Sequence, residues 1–279
     1  MAQLLQGRPL VIAGPCVLED GDVNLRIAEH LVRMSETLGI DFIYKASFDK
    51  ANRTRLDAPR GPGLDRGLEI LSQIGRSTGL PLLTDVHEPS QVKPCCDVVD
   101  VLQIPAFLCR QTDLLIEVGR CGKSVNIKKG QWMKAEDMVG AVEKVRSGGC
   151  TDVAVSERGT FFGYGDLVVD MRNFERLRDI TGCTVVFDMT HSVQRPGSGS
   201  DGSSGGSREN VRSLAAAAAA AGADGFFIET HPEPDNASSD AATIWPLEEL
   251  EPLLAHVLEL WRTRERCLSD KPTTVEWKS

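Results

Sequence analysis

Eight short apolar runs, with helical segments between them, constrain this chain more than any other feature. Each ends in a charged, amide or sulfur side chain that an apolar run does not need. LVIAGPC stops at Cys16, DFIYKAS at Lys45 and Ser47, and LPLLTDVHE at Asp85 and His87. VVDVLQIP carries Gln103, SVNIKKG carries Lys128 and Lys129, and VAVSERG carries Arg158. VVFDMTH closes on Asp188 and His191, and GFFIETHP on Glu229 and His231. Runs apolar at nearly every position are buried on both faces, the mark of a parallel sheet. Eight of them, with no boundary splitting the chain, favour one closed (β/α)8 barrel over a doubly wound sheet. The expected organisation is a single domain across 1–279, with all eight polar tips converging on one mouth.

Helical spacing fills the intervals. Residues 21–38 place Leu25, Ala28, Leu31, Val32 and Leu38 near one stripe, and 64–78 do the same with Leu64, Leu68, Leu71 and Ile74. A short turn is expected at 89–96, and helices near 111–121, 135–147, 172–181, 208–222 and 247–268. The alanine run at 215–221 reads as a thin helix packed close to its neighbours. Residues 195–207 are almost wholly Gly and Ser; because they leave the run carrying His191, they read as a mobile lid or a flexible connector.

With 279 residues and 41% hydrophobic content the chain can bury a full core. No apolar stretch is long enough to span a bilayer, and the first residues lack the basic-then-apolar build of a signal peptide, so a cytoplasmic location is expected. The eight cysteines form no CxxC pair and no regular framework, which reads as reduced thiols without a structural disulfide. A net charge of −9 argues against a nucleic-acid or anionic-membrane surface. Yet Lys45, Lys50, Arg53, Arg60, Arg110, Lys128, Lys129 and Arg158 gather at or just after run ends, as expected around a small, multiply anionic ligand.

Three groupings carry chemistry. Cys16, His191, Glu229 and Asp240 offer thiolate, imidazole and carboxylates, a set suited to Fe²⁺, Zn²⁺ or Mn²⁺. Their long-range spacing is no metal motif, and a lone cysteine at a strand end is more often a buried structural thiol. Lys45, Lys50, Lys128 and Arg158 would converge on one phosphate or carboxylate, because burying an unpaired ammonium costs on the order of several kcal/mol; salt bridging is the competing reading. Asn52 and Arg53 of KANR, with Arg110, are placed to grip a second phosphate at the edge. Asp85 and His87 remain near the centre, His87 as a proton carrier or an orienting donor. No GxSxG, P-loop or Rossmann fingerprint occurs, and no organic cofactor is expected.

Taken together, AGPC at 13–16, KASFDKANR at 45–53, TDVHE at 84–88, QIPAFLCRQTDLL at 103–115, NIKKGQ at 126–131, ERGTFFGY at 157–164, FDMTHSVQ at 187–194 and ETHPEP at 229–234 resemble the 3-deoxy-D-manno-octulosonate 8-phosphate synthase family. The resemblance runs in order from about residue 10 to 260. The sister heptulosonate 7-phosphate synthases carry a KPRT-like segment where this chain reads KANR.

The resemblance implies condensation of phosphoenolpyruvate with D-arabinose 5-phosphate and water, in lipopolysaccharide precursor biosynthesis, by a cytoplasmic homotetramer. It implies Lys45, Lys50, Gln103, Lys128 and Arg158 as the phosphoenolpyruvate site, with Ser47 and Phe107 among the substrate-binding residues. Asn52, Arg53 and Ser192, with Arg110 from a neighbouring subunit, would hold the sugar phosphate. Asp85, His87 and Lys50 would be catalytic. Cys16, where metal-independent members read AGPN, and the SDA at 239–241 imply the metal-dependent branch, with Cys16, His191, Glu229 and Asp240 binding a divalent ion that is not a redox centre. Thr54 departs from the serine expected after KANR, and the nine residues before the first run are short for the family's N-terminal hairpin. Other classes stay open: a heptulosonate or sialic-acid-type synthase, a Schiff-base aldolase using Lys128 or Lys129, or a non-catalytic sugar-phosphate binding protein.

Overall fold

Apolar runs buried on both faces must be covered inside and out, and the barrel does both. A computed structural model of the chain describes residues 9–53, 55–161, 165–198 and 205–269. Its strands are β1 (Leu10–Gly14), β2 (Phe42–Lys45), β3 (Leu82–Asp85), β4 (Val101–Ile104), β5 (Ser124–Lys128), β6 (Val153–Glu157), β7 (Thr184–Asp188) and β8 (Gly225–His231). Each pairs in parallel with the next, and β1 closes the ring by pairing with β8, Leu10 opposite Gly225 and Gly14 opposite Glu229. This is the expected (β/α)8 barrel.

Side chains alternate across each strand. Leu10, Ile12, Ile43, Leu83, Val101, Ala154, Val186 and Phe227 point inward and form an apolar plug of their own. Their strand neighbours, such as Val11, Phe42, Leu82, Leu102, Val155 and Phe226, point outward into a second, larger core against the helices. Two residues beyond the plug on β2, β3, β4, β7 and β8 lie Lys45, Asp85, Gln103, Asp188 and Glu229, so alternation aims them at the mouth. On β5 and β6, a hydrogen-bonded ladder from Ser156 through Asn126 to Gln103 roofs the plug.

The helices are α1 (Val23–Leu38), α2 (Leu64–Thr78), α3 (Pro89–Cys96), α4 (Thr112–Arg120), α5 (Met138–Ser147), α6 (Asn173–Thr181), α7 (Val211–Ala221) and α8 (Leu250–Ser269). Two details differ from the sequence reading. The buried stripe of α1 is Asn24, Ile27, Ala28, Leu31 and Met34, rotated from the expected one, so Leu25 and Val32 are only half-buried. The segment 89–96 is a helix, not a turn: Pro89 opens it, where its missing N–H costs nothing, and Gln91 reaches back to accept from the His87 amide at 2.8 Å. The alanines of α7 do form a thin helix, burying Ala215, Ala218 and Ala219. After β7, Gln194–Arg195 pairs antiparallel with Gly205–Gly206; the middle of the expected lid, 199–204, lies outside the described residues. So do residues 1–8, most of the segment read as short for the family's N-terminal hairpin, and Thr54.

The expectation of no disulfide is corrected. Cys96 ends α3 and Cys121 follows α4, and the two neighbouring helices bring their Cα atoms to 6.3 Å in a disulfide. Helix packing, not local spacing, makes that pair, so residues 25 apart gave no framework signal. The remaining six cysteines, Cys16, Cys95, Cys109, Cys150, Cys183 and Cys267, are free thiols. Thiol titration of the denatured, unreduced protein should therefore return six groups and rise to eight after reduction; eight before reduction would contradict the pairing.

Candidate active site

Strand alternation and closure place a cavity of about 740 Å³ at the C-terminal ends of the strands, the end where barrel enzymes keep their chemistry. Lys45, Lys50, Asp85, Gln103, Lys128, Arg158, His191, Glu229 and Asp240 line it, with Asn52, Arg53, Phe107 and His87 toward the rim.

Three cations are buried there. Nζ of Lys45 donates to Oε1 of Glu229 at 2.9 Å and to the Cys16 carbonyl at 3.0 Å, tying β2 to both sides of the barrel seam. Nζ of Lys128 donates to Oδ2 of Asp188 at 2.5 Å and sits 3.1 Å from the centre of the Phe227 ring, whose negative face replaces part of its lost hydration. Burial lowers Lys128 to about 8 despite Asp188. Arg158 gives Nη2 to Oε1 of Gln194 at 2.7 Å, while Nη1 is buried without a partner. A buried guanidinium nitrogen left unbonded is costly, and Arg158 is among the residues that line the cavity. Lys50 is less enclosed and donates to Oγ of Ser47 at 3.0 Å. Burial works against its charge, but Cys16, Glu229, Asp85 and Asp240 outweigh that and raise its pKa.

Acids on the facing strands pair with two of these cations. Burial would raise Glu229, yet Lys45, His191 and Lys50 bring it down to about 2. Asp188 is likewise held below the usual carboxylate range, against burial, by His191, Lys128 and Arg158. It accepts from the His191 amide at 3.0 Å and from Nδ1 of the ring at 2.8 Å, which turns Nε2 of His191 toward Glu229 (3.8 Å) and Asp240 (3.9 Å).

Cys16, Glu229 and Asp240 each offer one ligand atom, all within 4.8 Å of one another, a group able to hold a metal ion. Sγ of Cys16 stands 3.1 Å from Oδ2 of Asp240, and Oε2 of Glu229 is buried without a hydrogen bond. Burial first, then Glu229 and Asp240, push the Cys16 thiol well up, so a metal arriving there would exchange for its proton. His191, the fourth expected ligand, stands beside this group, its Nδ1 anchored by a carboxylate as in carboxylate–histidine–metal sites.

At the end of β3 and just beyond it, Oδ2 of Asp85 and Nε2 of His87 meet at 3.2 Å. Burial would raise Asp85, but His87, Lys45 and Lys50 hold it below the usual range. An ionised carboxylate only accepts, so Nε2 carries the proton and Nδ1, which has no partner, is the free ring nitrogen. Burial disfavours the imidazolium, yet the Asp85 bond outweighs it and raises the His87 pKa.

The rim is less uniform. Nη1 of Arg53 donates to Oγ of Ser239 at 2.9 Å and Nη2 to the Ser238 carbonyl at 3.2 Å, clamping the loop that carries Asp240. Ser47 is buried beneath Lys50, and Ser192 is buried with its Oγ on the Met189 carbonyl at 3.2 Å; neither lines the cavity. Arg110 stays outside the mouth of its own chain, beside Trp132 and Lys144. Phe107, 53% exposed, stacks on Trp132 at 5.7 Å. Lys129 points away from the mouth and is buried on the carbonyls of Gly130 and Met133 and on Thr160 Oγ1. Sequence reasoning gave no role to Asp188 beyond a strand tip, and none to Gln194 or Ser239. The polar Gln194 directly after an apolar Val193 was the signal available for one of them.

Residues 5–266 match the model of the DAHP synthetase I family, and the chain belongs to that family. Among curated proteins it is 52% identical over 250 residues to a 2-dehydro-3-deoxyphosphooctonate aldolase of Syntrophotalea carbinolica, covering 90% of each chain. It is 49% identical over 263 residues to a protein of the same name from Nitratidesulfovibrio vulgaris, covering 94% of this chain and 96% of the relative. A third of that name, from Stenotrophomonas maltophilia, is 52% identical over 250 residues, again 90% of each chain. Among the described residues, no helix is long and apolar enough to cross a membrane.

Proposed function

We propose that the chain is a transferase that condenses phosphoenolpyruvate with D-arabinose 5-phosphate and water to give 3-deoxy-D-manno-octulosonate 8-phosphate and inorganic phosphate, in lipopolysaccharide precursor biosynthesis. The observation that carries this reading is the near-full-length likeness, at about half identity, to three proteins named for the octonate, on a chain whose mouth buries three cations. A cytoplasmic homotetramer is part of the same reading, with Arg110 and the exposed Phe107–Trp132 pair turned toward a neighbouring subunit.

Carbon 3 of the enol phosphate attacks the sugar aldehyde, water adds at carbon 2, and the resulting hemiketal phosphate loses phosphate by C–O cleavage. Lys128 and the free Nη1 of Arg158 take the anionic groups of phosphoenolpyruvate, with Lys45, Lys50 and Gln103 around them. As the enol carbon becomes cationic and then tetrahedral, cations already fixed by Asp188 and Glu229 need no reorganisation to stabilise the departing charge. The free Nδ1 of His87 takes a proton from the attacking water, and Asp85 fixes the tautomer and steadies the imidazolium that forms. Lys50 remains an ammonium and neutralises the developing oxyanion. Asn52 and Arg53 hold the sugar phosphate at the rim, with Arg110 supplied across the interface.

The donor set fits a divalent ion: a thiol, two carboxylates and a nearby imidazole, with one buried carboxylate oxygen otherwise unbonded. Cys16, His191, Glu229 and Asp240 would hold Fe²⁺, Zn²⁺ or Mn²⁺, which supplies Lewis-acid orientation of substrate or water and no redox chemistry.

The Schiff-base alternative loses Lys129, whose amine is buried on the carbonyls of Gly130 and Met133 away from the mouth, and Lys128 reaches the mouth as the ion-pair partner of Asp188.

Two measurements test the reading. Phosphate release from phosphoenolpyruvate should require arabinose 5-phosphate, fail with erythrose 4-phosphate, stop on chelation and return with Mn²⁺ or Fe²⁺. No release with the pentose phosphate would overturn the reaction, and full turnover of metal-stripped protein would overturn the metal. The second is pH dependence. Lys128 is a cation below about 8 and loses its charge as pH rises through that value. kcat/KM for phosphoenolpyruvate should therefore fall on the alkaline side of about 8, and a flat profile to pH ~10, near the ordinary lysine value, would remove Lys128 from the anion site.

A further inference from the structure

Gln194 stands between the two halves of the mouth. Its Oε1 accepts from Nη2 of Arg158 at 2.7 Å, and its Nε2 donates to Oδ1 of Asp240 at 2.8 Å. A guanidinium only donates and a carboxylate only accepts, so the two partners fix which way the amide points. The other oxygen of Asp240 lies 3.1 Å from Sγ of Cys16. Arg158, Gln194, Asp240 and Cys16 thus form one unbroken line, from the guanidinium that faces the anion site to the thiol of the metal-capable group.

Both ends of that line are under constraint. Arg158 is buried with Nη1 unbonded, and among the described residues its side chain hydrogen-bonds Gln194 alone. Asp240 is the only non-glycine among the described residues with a left-handed backbone, φ 52°. Such a conformation persists only where surrounding bonds over-determine it. The amides of Thr243 and Ile244 hold its carbonyl at 2.8 and 2.9 Å, and Gln194 holds its carboxylate. Gln194 is itself anchored, since it opens the ribbon paired to Gly205–Gly206. A glutamine that only filled space would spend its amide on nearby backbone groups. This one spends both ends on ionisable groups from different elements.

We propose that Gln194 is a positioning residue that couples the two subsites, so that an enol-phosphate anion at Arg158 and a divalent ion at Cys16, Glu229 and Asp240 each tighten binding of the other. An anion on Nη1 fixes the guanidinium plane, the guanidinium fixes the amide, and the amide keeps Oδ2 of Asp240 turned to Cys16. A cation on Asp240 works along the same line in reverse, and the two enhancements must be equal. The inference rests on the proposed reading of the mouth as a phosphoenolpyruvate and metal site.

The test needs no turnover. Zn²⁺ affinity is measured by competition with a chromophoric chelator, with and without phosphoenolpyruvate; phosphoenolpyruvate affinity is measured by calorimetry, with and without Zn²⁺. In the unmodified protein each ligand should raise the affinity of the other by the same factor, about fivefold or more. Gln194→Met removes both bonds, and Gln194→Glu keeps an acceptor for Arg158 but offers Asp240 no amide donor. In both, the factor should fall to within about twofold of unity, a loss of most of that coupling. Circular dichroism melts report folding, and if the Met variant does not fold, the Glu variant decides. A purely structural role would lower the melting midpoint and leave the factor unchanged, which would overturn the inference. Independent binding of the two ligands to the unmodified protein would overturn it as well while leaving the proposed reaction standing. Failure of the unmodified protein to bind phosphoenolpyruvate at all would instead sink the reading of the site.

Discussion

Charge balance inside the mouth is the constraint on which the rest of the structure depends. Lys45, Lys128 and Arg158 are buried there with Asp85, Asp188 and Glu229. Removing one member of such a pair leaves an uncompensated charge, typically at a cost of about 3–5 kcal/mol. The barrel keeps them because four of the six are paired across strands, Lys45 of β2 with Glu229 of β8 and Lys128 of β5 with Asp188 of β7, while Arg158 bonds Gln194 and Asp85 bonds His87. The cations are therefore in place before a ligand arrives, and an anion entering the mouth meets donors already stripped of water.

Everything beneath the mouth serves that arrangement. The inward plug of Leu10, Ile12, Ile43, Leu83, Val101, Ala154, Val186 and Phe227 closes the floor, and Phe227 also supplies the ring under Lys128. Gly14 shows how tight the fit is. A side chain there would overlap the carbonyl of Lys45, so the close approach of β1 to β2 that carries Cys16 beside Lys45 is open to glycine alone.

The barrel was legible because its signal is repeated and local. Two-face burial reads as an apolar run, and the polar tip of each run, as in Lys45, Asp85, Gln103 or Glu229, marks the open end. The helices followed from their stripes, although α1 is rotated by about one position because Asn24, not Leu25, turns inward. It bonds the Glu19 carbonyl at 2.6 Å and accepts the Glu19 amide at 3.2 Å, satisfying a polar side chain that composition would place in water. What stayed hidden depends on contacts between distant elements. The Cys96–Cys121 bond needs α3 beside α4, the bridging of Gln194 needs β6 beside the loop after β8, and the anchoring of His191 needs Asp188 already turned inward. The charged tips could be read singly, but not which acid each cation would face.

The claim most exposed to test is where the enol phosphate sits. A crystallographic difference map of chelator-treated protein soaked with phosphoenolpyruvate addresses it without turnover. The phosphate and carboxylate should lie in the mouth, within hydrogen-bond distance of Lys128 Nζ and Arg158 Nη1, with the enol carbon facing the Asp85–His87 side. Ligand density elsewhere on the barrel, or none at saturating concentration, would contradict the account.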